Sequence, residues 1–181
     1  NATAARGDPV QGVVHIFDAE RGLALRRLEV RYDPYCLAFL PDNRRLLVGT
    51  YGAVNLWELE EPSREASLPV YGKMGIFPTE DVKSIAVHPE GRLALIGTGV
   101  AEEARVIDLA DGTPRLVFKG HGGKFAMFRP DEIRAAAFSP DGQFAVTGGI
   151  HGTIRAWAVR SGQEMGRFTG HEGWWGWHGI T

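Results

Sequence analysis

The chain has 181 residues, 44% of them hydrophobic and 23% charged, with a formal net charge of -2. That balance describes a globular chain long enough to bury a core, and it lacks the basic excess on which nucleic-acid binding ordinarily rests. No apolar run approaches the roughly 20 residues of a membrane-spanning helix, and the single cysteine, Cys36, excludes an intrachain disulfide and suits a reducing, cytoplasmic setting.

Taken in chain order, the sequence opens Asn1-Ala2-Thr3-Ala4-Ala5, with neither an initiator Met nor a signal peptide, as expected of a piece whose preceding residues were removed or not included. Residues 1–5 read as the end of a strand, residues 13–18 and 23–28 as two further strands, and residues 6–12 as the loop before them. Apolar strands follow from about Tyr35, Lys83 and Ile133, each the first of four. In the last set, residues 133–138 form a strand, Pro140-Asp141-Gly142 a tight turn, and 143–147 a second strand. Gly152 marks the next turn, 153–157 is a β-branched and aromatic third strand, Ser161-Gly162 turns again, and 163–168 is the fourth. The predicted unit is an antiparallel meander of four strands.

The unit repeats. Phe39-Leu40-Pro41-Asp42-Asn43 returns as Val87-His88-Pro89-Glu90-Gly91 and as Phe138-Ser139-Pro140-Asp141-Gly142. The strands ending at Phe17-Asp18, Trp57-Glu58, Ile107-Asp108 and Trp157-Ala158 recur at intervals of 40, 50 and 50 residues, the mark of a stacked supersecondary unit. Runs such as Leu93-Ala94-Leu95-Ile96 and Ala135-Ala136-Ala137-Phe138 are apolar at consecutive positions, so these strands are expected to be covered on both faces by neighbouring sheets.

Gly120-His121 and Gly170-His171 at the close of two units, the Pro140-Asp141-Gly142 turn, Gly152-Thr153-Ile154-Arg155 and Trp157 together resemble the WD-repeat β-propeller family over roughly residues 1–171. The resemblance implies an all-β chain: a partial β-propeller of four-stranded antiparallel blades, about three and a half of them. It divides the chain into a partial first blade (1–30), a second (31–78), a third (79–121) and a fourth (122–171), with 172–181 starting a further blade or a linker. It also implies a rigid, noncatalytic interaction or sensor platform within a larger protein. Two explanations of the blade count stand side by side: a piece of a longer propeller, or an assembly element in which two halves pair into one closed ring. The family's structural tetrad, carried onto this chain, places His121, Thr147 and Trp157 in the fourth blade, with His151 where the turn Asp would stand. The second blade keeps Trp57 but has Tyr51 at the Asp position, and the third has Ile107 in place of Trp. No tetrad is complete in this reading.

Turns at 19–22, 40–43, 88–91, 110–112, 139–142 and 160–162 are short, whereas the connections at 6–12, 71–82, 99–103 and 122–131 are long. Strand reversal puts these two sets at opposite ends of the blades, so a protein partner is expected on the long-loop face. Its candidate contacts are Phe125, Met127, Phe128 and Arg129 in the Gly-led loop, of residue types enriched at interfaces, with Glu102 and Glu103 as an acidic spot on the neighbouring blade. Trp174, Trp175 and Trp177 form a second apolar segment of open role, an interface or the packing of a following blade. The six histidines are scattered without the spacing of a zinc site, and no GxSxG or phosphate-binding glycine loop occurs. No catalytic residue, metal or cofactor is therefore assigned; a channel-centred enzyme, whose site would draw on several blades, is the least favoured alternative.

Overall fold

The computed structural model describes residues 12–30, 32–60, 64–68, 81–99, 103–121 and 131–169. Among these residues the chain is all β, and no helix is long and apolar enough to cross a membrane. β1 (Gly12–Phe17) and β2 (Ala24–Val30) pair as a two-stranded sheet. β3 (Cys36–Phe39), β4 (Arg45–Thr50), β5 (Ala53–Glu58) and β6 (Arg64–Leu68) form the second sheet. β7 (Val82–Val87), β8 (Leu93–Thr98), β9 (Glu103–Asp108) and β10 (Pro114–Lys119) form the third, and β11 (Ile133–Phe138), β12 (Phe144–Gly149), β13 (Thr153–Ala158) and β14 (Glu164–Thr169) the fourth. Each sheet is antiparallel with its strands in chain order, and none closes on itself.

The turns explain the repetition. Asn43, Gly91 and Gly142 return their N–H to the carbonyls of Leu40, His88 and Ser139 at 3.0, 2.8 and 2.9 Å, closing the same reversal three times. That reversal needs a positive φ, which is 70° at Gly91 and Gly142 and 56° at Asn43; asparagine is the residue that best tolerates it without being glycine. The carboxylates of Asp42 and Asp141 accept the backbone N–H groups two residues on, at 2.9 and 3.0 Å. Between third and fourth strands, Gly22, Gly112 and Gly162 each donate to the residue four before them at 2.8 Å. This shared turn identifies β1 as a third strand and β2 as a fourth.

Alternation of side chains puts the core between the sheets. Leu46, Val48 and Trp57 pack toward Val14, Leu28 and Val30 of the first sheet. Leu47 and Val54 pack the other way, against Ala94, Ile96 and Ile107 of the third. Leu95, Ala104, Val106 and Phe118 meet Ile133, Ala145 and Trp157 of the fourth, with the Phe118 and Trp157 rings stacked at 4.8 Å and 4°. β4 and β8 are thus buried on both faces, which is why their sequences are apolar without alternation; each such side chain is worth about 1.5–3 kcal/mol in removal from water.

The first strands set the spacing. β7 lies against both β3 and β11. Cys36 Sγ donates to the carbonyl of Val82 at 3.4 Å, and Ser84 Oγ, at the equivalent position one sheet on, donates to the carbonyl of Ile133 at 3.1 Å. Glycines opposite make room: a Cβ on Gly49 would stand 2.5 Å from Cys36 Sγ and 2.7 Å from Val82, and one on Gly97 would stand 2.6 Å from the Ile133 carbonyl. At the short-turn end, His88 Nε2 donates to the carbonyl of Gly142 in the next sheet's turn at 3.2 Å.

Candidate functional site

Strands β3, β5, β7, β9, β11 and β13 all begin at one end of the stack, the end from which the longer connections emerge. Phe125, Met127, Phe128, Arg129 and Glu102 lie outside the described residues, as do Trp174, Trp175 and Trp177. Glu103 opens β9 and is not an unpartnered acidic spot, because its carboxylate takes Arg105 Nε at 2.8 Å from the same face of the strand. Not every connection here is long: Tyr51-Gly52 joins β4 to β5, and residues 150–152 join β12 to β13.

A buried relay of hydrogen bonds organises the fourth sheet at this end. Trp157 Nε1 donates to Thr147 Oγ1 at 2.8 Å, and the same oxygen lies 2.6 Å from His121 Nε2. His121 Nδ1 lies 3.0 Å from Thr153 Oγ1, which donates to Asp131 Oδ2 at 2.8 Å. Since Thr153 spends its proton on Asp131, its oxygen accepts from Nδ1, leaving Nε2 to accept the Thr147 hydroxyl. Every donor then points one way, from indole to carboxylate, and each bond polarises the next. Burial holds His121 below its ordinary pKa against the opposing pull of Asp131, consistent with a neutral ring.

The carboxylate that the sequence reading found missing is therefore present. It comes from Asp131, in the lead-in to β11, and His151 at the expected turn position gives its backbone N–H to Asp131 Oδ1 at 3.1 Å. Gly149 is obligatory beside it, since a Cβ there would meet both carboxylate oxygens at 2.4 Å. Arg155, buried on the same face, bonds the Gly120 carbonyl and Glu164.

The second sheet holds the same tryptophan without the relay. Trp57 pairs with Leu46 as Trp157 pairs with Ala145, which puts Val48 where Thr147 stands. Val48 has no acceptor, and Trp57 Nε1 is buried without a hydrogen-bond partner. The third sheet avoids the problem by replacing both groups, with Ile107 for the indole and Ile96 for the hydroxyl.

At the mouth of this end, Tyr32, in the connection from β2 to β3, and Tyr51, after β4, meet at 6.1 Å between ring centroids, inclined by 54°. Tyr51 bridges through its backbone to Asp81, whose Oδ2 takes Lys83 Nζ at 2.7 Å, and that ammonium lies 4.1 Å from the centre of the Tyr35 ring. Sequence reasoning missed this group, because its members come from segments whose adjacency only the sheet stack creates. Among the described residues no three His, Cys, Asp or Glu side chains are grouped to hold a metal ion.

Four-stranded meanders stacked face to face, with first strands side by side and a Trp–Thr–His–Asp relay binding one blade, define a partial β-propeller of the WD-repeat class. Residues 112–158 match the model of the family described as WD domain, G-beta repeat, and the chain resembles WD-repeat proteins over more of its length. It is 29% identical over 137 residues to human Coronin-7, covering 75% of this chain and 13% of that protein. It is 31% identical over 118 residues to the serine-threonine kinase receptor-associated protein of Dictyostelium discoideum, covering 64% of this chain and 34% of the relative. With Ribosome biogenesis protein ERB1 of Yarrowia lipolytica it shares 42% identity over 50 residues, 28% of this chain and 5% of that one. The chain thus spans well under half the length of these curated relatives.

Proposed function

We propose that this chain is a noncatalytic interaction or sensor platform, part of a larger cytoplasmic WD-repeat protein, and that it binds a protein partner on the long-connection face. The observation that carries the reading is the difference between the two ends of one rigid stack. One end is closed by repeated tight turns that bond to themselves and to the next sheet, whereas the other gathers exposed tyrosines, paired charges and the longest connections. WD-repeat relatives support an interaction role in general, and one is named for its association with a receptor kinase. In this proposal the partial propeller runs over 1–171 with the blade limits given above, and residues 172–181 lead into a further blade or linker. Phe125, Met127, Phe128 and Arg129 supply contacts, whereas neither nucleic acid nor membrane is a partner. The test is capture of partners from cell extract by the wild type and by a Phe128→Ala, Arg129→Ala variant of equal thermal stability. Loss of a partner from the variant is expected; identical capture overturns this choice of site.

A second reading, self-pairing of half-propellers, draws on a different observation. The first sheet has third and fourth strands only among the described residues, and beside β1 lies an apolar cavity of about 310 Å³ reaching Ile16, Leu37, Phe39 and Leu46. At the far side of the stack, Phe144, Val146 and Phe168 stand exposed on the outer face of the fourth sheet. Light scattering separates the readings: a stable dimer favours paired halves, and a monomer or aggregate favours a piece of a longer ring.

A further inference from the structure

The tyrosine group at the long-connection end has the chemistry of a recognition centre. Tyr35 and Tyr51 are 46% and 39% exposed although both belong to a packed framework. Tyr35 is pinned by its N–H to the Gly49 carbonyl at 2.9 Å, and Tyr51 by its bridge to Asp81 and its contact with Tyr32. Rigid, half-exposed tyrosines offer large contact area at little entropic cost, as the anchors of protein interfaces do. The molecule itself shows what these rings accept, since Lys83 places its ammonium 4.1 Å from the Tyr35 centroid. That charge is engaged by Asp81 at 2.7 Å. Asp33 stands exposed in the turn between Tyr32 and Tyr35.

Resting on the proposed platform reading, we propose that this group is the centre of the protein-binding face and takes an arginine side chain presented by an extended segment of the partner. A guanidinium lays its whole plane on a tyrosine ring while two N–H groups of its edge fork onto a carboxylate, which suits the exposed Tyr35 in the same segment as the exposed Asp33. A lysine ammonium can reach a ring and a carboxylate together, as Lys83 does, but with neither the planar contact nor the paired fork. An acidic segment is disfavoured, because it meets the exposed Asp33 carboxylate while the Lys83 ammonium is already engaged by Asp81. Burial first, then the Asp81 carboxylate, holds the Tyr35 phenol above its ordinary pKa.

The test uses the whole chain with carbon-13 in its tyrosine rings, titrated with a flexible Gly/Ser peptide carrying arginines and with the same peptide carrying lysines or glutamates. The arginine peptide is expected to move the Tyr35 and Tyr51 ring signals and to bind roughly tenfold tighter than the lysine one, while the glutamate peptide moves neither. Asp33→Asn and Tyr51→Leu should each weaken binding about tenfold with unchanged thermal unfolding, and Glu20→Gln, on the opposite end, should leave it unaltered. Unmoved tyrosines, equal binding of the glutamate peptide, or full binding by Asp33→Asn overturns the proposal. Failure here with partner capture still lost in the Phe128→Ala, Arg129→Ala variant sinks the arginine centre alone; capture indifferent to that variant and to Tyr51→Leu sinks the long-connection face as well.

Discussion

Two tryptophans occupy the same place in two blades and meet opposite fates. Trp157 begins a relay that ends on Asp131, with every buried donor matched, whereas Trp57 keeps the indole in a comparable apolar bed with its N–H unbonded. The difference is one side chain on the neighbouring strand, Thr147 against Val48. It teaches that the tryptophan is retained for what its rings pack against, and that the hydrogen bond is an addition a blade can lose. The relay ties the lead-in of β11 to β12 and β13, so it also secures the connection from which the proposed binding loop emerges.

The largest effect should come from cutting the relay at its centre. Thr147→Val removes the acceptor of Trp157 and the partner of His121 Nε2, and two buried groups left unpaired should cost about 2–5 kcal/mol in urea unfolding. Asp131→Ala takes away only the terminal acceptor; the His151 N–H is part-buried and can turn to water, so the buried Thr153 hydroxyl it strands should cost about 1–3 kcal/mol in the same measurement. The reverse experiment is Val48→Thr. If the missing acceptor is all that separates the blades, this change should leave stability equal or raise it by about 1 kcal/mol, while Val106→Thr, in an apolar bed with no donor to meet, should lose about 1–3 kcal/mol. Equal losses at both sites would show that the second blade has closed around its bare indole.

Acidification should separate the blades more gently. His121 is held below its ordinary pKa of 6.5, first by burial, so the unfolded chain binds the proton more readily than the folded one. Stability from this group is complete above pH 6.5 and declines as pH falls from there toward the folded value, a slope that His121→Gln should abolish. Asp108 acts in a lower window. The Ala110 N–H first, then Arg115 and Arg92, hold its carboxyl at about 2 against an ordinary 3.8, so its contribution is present above 3.8 and is lost as pH drops to about 2.

The sheet framework was legible in the sequence because its turns are local: Pro-Asp-Gly and its variants specify a reversal within a few residues. The buried strands were legible for the same reason, consecutive apolar residues having few alternatives between two turns. Asp131 was missed because the expectation tied the carboxylate to one turn, whereas the fold delivers it from the strand entrance, where sequence position says nothing of distance. Val48 was readable in principle, since aligning the second strands sets it against Thr147. The tyrosine group was not, because Tyr51 and Lys83 are brought together only by the packing of one sheet on the next.

The Cys36 thiol, donating to the Val82 carbonyl from a seam between sheets, is pushed up to about 12 by burial and stays protonated at any physiological pH. An unmodified thiol that reacts only as thiolate becomes a clock for that seam. The rate at which it takes up an alkylating reagent, set beside full unfolding, reports how often the second and third blades part while the rest of the stack stays folded.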